Sequence, residues 1–102
     1  MKPIVRAIKH NTHPGEIISN QIIRPNKLTV DRTAKLLGIT RPTLSNIVNG
    51  KSAISPIMAL RISKVFGGNA AFWIRLQTAY DLREAEKEFE EKHIELDRFE
   101  FA

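Results

Sequence analysis

Residues 29–50, TVDRTAKLLGITRPTLSNIVNG, constrain this chain more than any other stretch. Val30, Thr33, Ala34 and Leu37 recur at steps of three and four, the spacing of a helix with one buried face. Gly38 interrupts the run, and Ile39 follows as an apolar plug. Thr40 suits the N-cap of a second helix whose buried face is Leu44, Ile47 and Val48. Pro42 falls in the first turn of that helix, where a missing N–H costs nothing. Asn49 and Gly50 close it, glycine being the usual residue where the backbone turns left-handed. Two short helices hinged at a glycine, with small Ala34 where they cross, predict a helix-turn-helix over 29–50.

The outward face of the second helix carries Arg41, Thr43, Ser45, Asn46 and Asn49. Short hydrogen-bonding side chains with one arginine are the repertoire that reads base edges in a major groove. An ordinary αα-hairpin with a solvated polar face would use similar residues. The apolar positions and the near absence of acid on the exposed face favour binding to double-stranded DNA.

Charge is distributed in the same sense. The net charge is +5, yet residues 83–102 hold eight acids and four bases, whereas residues 1–82 hold three acids and twelve bases. A basic body joined to an acidic tail favours a polyanionic partner for the body, through counterion release. Other classes find little support. The 102 residues lack cysteine, which removes disulfides, thiolate ligands and thiol nucleophiles. His10, His13 and His93 form no ligand cluster, and no motif positions a Ser/His/Asp set or paired carboxylates. Neither a metal, a cofactor nor an enzymatic activity is expected. No apolar run reaches membrane-spanning length and no signal-peptide core follows Met1, so a cytoplasmic protein is expected.

The rest of the chain reads as further helices. Residues 1–12 form an extended N-terminal segment, β-prone at Ile4 and Val5 and polar from His10 onward. Pro14 opens a first helix with Glu16 in its first turn and Ile17, Ile18, Gln21 and Ile22 inward. It ends at Arg24-Pro25-Asn26. Thr29 caps the second helix, and Ile54 tucks into the core after the third. Ser55-Pro56 starts a fourth, with Ala59, Leu60, Ile62, Ser63 and Phe66 inward and Gly67-Gly68 as its stop. Asn69 caps a long fifth helix. Five helices with short links predict an all-α domain over 13–83, followed by an acidic extension at 84–102.

Two features of the C-terminal part exceed what one small domain needs. Phe72, Trp73, Leu76 and Tyr80, with Leu82 beyond, make a stripe wider than one contact face. It serves the core, a homodimer seam, or one side for each. In the final segment Ile94/Leu96 and Phe99/Phe101 alternate, so residues 94–101 form either a short strand paired with the N-terminal segment or a frayed tail.

HPGEII at 13–18, the helix-turn-helix, IVNGK at 47–51, ALRIS at 59–63 and FWIRLQTAYDL at 72–82 together resemble the HigA-type antitoxins. These VapI-like proteins belong to the Xre/Cro, lambda-repressor-like superfamily, and the likeness covers about residues 13–86. The resemblance implies a homodimer that neutralises a HigB-type, mRNA-cleaving ribonuclease toxin and represses its own operon at a palindromic operator. Position by position, it makes Thr40, Arg41, Thr43, Ser45, Asn46 and Asn49 the base and phosphate contacts, with Lys51 on a phosphate. Val30 and Asp31 stand where relatives often carry a polar phosphate clamp. Some relatives are plain Xre-family repressors with no toxin partner, which is the alternative reading.

Overall fold

Among the described residues, each α-helix starts at a side chain that accepts from a free N–H of its first turn. In the computed structural model, which describes residues 10–102, α1 spans Pro14–Ile18 and runs on as a π-helical turn, Ser19–Ile23. Helices α2 (Val30–Leu37), α3 (Arg41–Val48), α4 (Pro56–Phe66) and α5 (Ala70–Glu91) follow. Thr29 Oγ1 accepts from the Arg32 N–H at 3.0 Å and Thr40 Oγ1 from the Thr43 N–H at 3.3 Å. Ser55 Oγ accepts from Met58 at 3.2 Å, and Asn69 Oδ1 from Ala71 at 2.7 Å. The cap of α1 is His13, whose Nδ1 accepts from the Gly15 N–H at 2.9 Å.

The helices close around one core. Helix α1 lies against α3 and α5, α2 against α3 and α4, and α4 against α5. Ile18, Ala34, Leu37, Leu44, Ile47, Ile54, Ala59, Ile62 and Trp73 fill the centre. A large apolar side chain buried there contributes about 1.5–3 kcal/mol. Thr33 is also fully buried; its hydroxyl donates to the Thr29 carbonyl at 2.8 Å, so it brings no orphan polar group inside.

Three expectations are corrected. Gln21 is exposed and Ile23 takes its place in the core. The cause is the π-helical turn, in which the Arg24 N–H reaches back five residues to Ser19 O at 3.0 Å. That wider turn rotates the inward face past the position a regular helix would give. In α4 the inward residues are Met58, Ala59, Ile62 and the half-buried Phe66, while Leu60 faces outward on the opposite side. Finally, residues 94–102 form no strand. The N-terminal segment proposed to pair with them lies, up to residue 9, outside the described residues.

Helix α5 outruns the body it packs on. Residues 81–102 are all exposed, the principal extents are 54 × 34 × 24 Å, and the Cα radius of gyration is 17.0 Å. A compact chain of this length has about 13 Å. The far half of α5 and the tail form a projecting arm. Among the described residues no helix is long and apolar enough to cross a membrane.

The tightest packing joins α1 to α3. A Cβ placed on Gly15 would lie 1.8 Å from Ile47 O and 2.7 Å from Ile47 C, backbone atoms in the last turn of α3. Neither helix can yield without moving as a body. Gly15→Ala is therefore expected to destabilise the fold by roughly 3 kcal/mol or more, read as a fall of about 10 °C or more in Tm by calorimetry.

Candidate nucleic-acid interface

Helix α3 presents its polar side away from the core because its apolar residues fall three and four apart. Leu44 and Ile47 are buried and Val48 half-buried, so Pro42, Asn46 and Asn49 stand on the opposite side, flanked by Arg41, Ser45 and Thr43. Thr40, Arg41, Thr43, Asn46, Asn49 and Lys51 are exposed and Ser45 is half-buried. The structure thus gathers all seven sequence-selected residues on α3 and the turns that flank it.

Their hydrogen bonding sorts them. Thr40 Oγ1 is occupied as the helix cap and lies 2.7 Å from Thr43 Oγ1, so these hydroxyls hold each other in place. Asn49 Nδ2 donates to Ser45 Oγ at 3.3 Å. The side chains of Arg41 and Asn46 are engaged with no other described residue, which leaves their donors available to an external acceptor. Past the helix, Gly50 takes φ 75°, and the Lys51 and Ser52 N–H groups both donate to Asn46 O, at 2.8 and 3.2 Å. This tight turn fixes where Lys51 leaves the helix. The nearest acid in sequence is Asp31, paired with Lys35 at 3.6 Å.

The angle of α3 is set from below and behind. Gly38 adopts φ 71°, the left-handed conformation the turn between α2 and α3 demands. Arg61 of α4 donates from Nη1 to the carbonyls of Leu37 at 2.9 Å and Gly38 at 3.3 Å, capping the end of α2. On the other side Gln77 of α5, nearly buried, accepts from the Ile54 N–H at 2.8 Å through Oε1 and donates to Asp81 at 2.9 Å. That bond ties the loop after α3 to α5. Sequence reasoning passed over Gln77, although a polar residue four places after Trp73, inside an apolar stripe, is the signal for it.

His13, the last residue before α1, is a junction of three elements. Only 4% exposed, it caps α1, lies under Gly50, whose built Cβ would sit 3.7 Å from the ring, and meets Tyr80 of α5 edge-on at a centroid distance of 4.8 Å. Its neighbour His10 does something different, lying 3.1 Å from Glu16 in solvent. Asn11 donates to Tyr80 O at 2.9 Å, which extends the attachment of this segment to α5.

The aromatic stripe of α5 is divided between two environments. Trp73 is buried in the core and Tyr80 packs on His13, whereas Leu76 is half-buried and Phe72, edge-on to Trp73 at 5.3 Å, is 44% exposed.

Known proteins share this arrangement. The family described as Helix-turn-helix matches residues 21–73. Virulence-associated protein I of Dichelobacter nodosus is 38% identical over 76 residues, covering 74% of this chain and 70% of that protein. Among solved structures, antitoxin GraA superposes with a TM-score of 0.82 at 34% identity, over 88% of this chain and 98% of that one. The Pseudomonas aeruginosa antitoxin HigA, solved with the higBA promoter, gives 0.80 at 29% identity, covering 86% of this chain and 97% of its own.

Burial lowers the pKa of His13 below its ordinary value of 6.5, opposed in part by the charges of Asp81 and Glu16 and by a hydrogen bond with the Ser52 backbone. The folded state therefore holds this ring neutral, with Nδ1 free to accept. The unfolded chain takes up the proton at about 6.5, so His13's stabilising contribution is full above that pH and declines as pH falls toward the lowered folded value. Thermal melts from pH 7.5 to 5 are expected to show a steeper loss of Tm in the wild type than in His13→Asn, which keeps a capping acceptor but cannot titrate.

Proposed function

This chain belongs to the helix-turn-helix family, DNA-binding regulators and antitoxins rather than enzymes, and we propose that it is an operator-binding antitoxin that represses its own promoter. The observation that carries this reading is the acid-free outer face of α3, with the Arg41 and Asn46 side chains unengaged beside a glycine-terminated helix end. A helix so exposed fits a major groove, where Arg41 reads guanine and Asn46 or Asn49 reads adenine. Thr40, Thr43 and Ser45 position the face, and Lys51 neutralises a phosphate.

One such helix spans too few base pairs for specificity, so the working form is a homodimer on a palindromic operator, its two α3 helices about 34 Å apart. Phe72 and Leu76, with Tyr80 at their edge, supply a dimer seam on α5, while Trp73 contributes from beneath by holding that surface rigid. The antitoxin half of the proposal rests on likeness to GraA and to HigA, the latter solved with the higBA promoter. It makes a HigB-type ribonuclease the second partner and the cytoplasm the place of action. Residues 13–83 are the DNA-binding unit; 1–12 and 84–102 are appendages to it.

Promoter-shift titration tests the DNA reading. Arg41→Ala is expected to lower operator affinity by roughly 10- to 100-fold, about 1–3 kcal/mol, with an unchanged melt. Equal affinity of wild type and variant would exclude Arg41 as a base contact. Lys51→Ala is expected to weaken binding to all sequences alike and to reduce the slope of log K against log salt by about one. Co-expression of the native operon separates the two halves: a shifted promoter with no co-purifying small ribonuclease would leave a plain repressor.

A further inference from the structure

We infer that the projecting arm of one copy docks on the outer face of α4 of a second copy, with tail residues 94–102 seated there. The arm exposes large apolar side chains that nothing among the described residues covers. Leu96 is 77% exposed, Phe99 72% and Phe101 88%, and the two phenylalanines meet edge-on at 4.9 Å as a single aromatic wedge. Glu95, Asp97 and Glu100 alternate with them. Such a segment needs a surface both apolar and cationic.

Charge narrows the choice of occupant. Two arms repel each other, since each carries eight acids against four bases from residue 83 onward, and the same excess repels DNA. The outer face of α4 has the complementary character. Leu37, Ile57, Leu60, Arg61, Lys64 and Val65 line an open depression of about 380 Å³ with no acid in its wall. Ile57 and Leu60 are at least half exposed there, on the side of α4 opposite Ala59 and Ile62.

A chain does not serve its own α4 in this way. Within one chain the two surfaces stay apart: Leu96, Phe99 and Phe101 on the tail and Ile57 and Leu60 on α4 all remain exposed. A second copy meets the requirement without strain. The inference rests on the dimer proposed above and assigns that dimer a second, charge-matched contact beyond the α5 seam.

Absence of cysteine makes the test direct. Leu60→Cys and Phe99→Cys, both at exposed positions, are prepared as separate full-length chains of distinguishable mass, mixed in equal amounts and oxidised. The expected product is the mixed disulfide, several-fold above either self-disulfide, and reduced several-fold when Lys64→Glu is added to the Leu60→Cys chain or when salt is raised to 1 M. The inference is overturned if the mixed product does not exceed the self-disulfides. It is also overturned if a dilute Leu60→Cys/Phe99→Cys double variant closes within one chain instead. Sedimentation of the wild type distinguishes the two levels: a dimer without the mixed disulfide removes only the arm contact, whereas a monomer removes the dimer as well.

Discussion

Contact between two backbones, at the first turn of α1 and the last turn of α3, governs the attitude of the exposed helix. Side-chain packing tolerates adjustment because rotamers can shift, but main-chain atoms separated by a missing methyl group cannot. Gly15 makes that approach available, Pro14 fixes the entry of α1, and His13 closes the first turn from beneath while touching Gly50 and Tyr80. Arg61 at the other end and Gln77 behind complete a frame in which α3 is gripped at both termini. An exposed helix only two turns long gains its fixed attitude from this frame, since its own hydrogen bonds are too few to hold it.

Much of this was legible in the residues, for a physical reason. Caps, first-turn prolines and left-handed glycines act over three or four residues, and the expected caps at Thr29, Thr40, Ser55 and Asn69 all serve. The inward sides of α2 and α3 follow from spacing alone, and the seven residues selected for DNA contact stand together on and beside one short helix. What escaped depends on partners distant in sequence. Gln77 has meaning only opposite the Ile54 N–H, 23 residues away, and the value of Gly15 appears only when α3 lies on it. The displacement of Gln21 by Ile23 has another origin, a π-helical turn whose five-residue backbone bonding changes the phase of a helix without marking its composition.

The polar groups inside follow one economy. Among the described residues His13, Thr33 and Gln77 are the buried polar side chains, and each bonds a backbone group: a free helix N–H, a helix carbonyl or a loop N–H. No described buried side-chain nitrogen or oxygen is left without a partner. Replacing His13 or Gln77 by an apolar residue of similar size leaves the Gly15 or Ile54 N–H unanswered, which costs more than the net value of the bond. These positions therefore specify the arrangement of helices as well as stabilising it.

The separation of charge along a 54 Å molecule has a consequence before any contact is made. With the acids gathered in the arm and the bases in the body, the protein carries a large dipole moment along its length. In the field of a duplex it experiences a torque that turns the body forward and swings the arm away. Encounters are thereby sorted by orientation during diffusion, which raises the fraction that arrive with the basic body foremost. Added salt shortens the range of that torque to about a Debye length, so the sorting fades sooner than the short-range contacts it prepares.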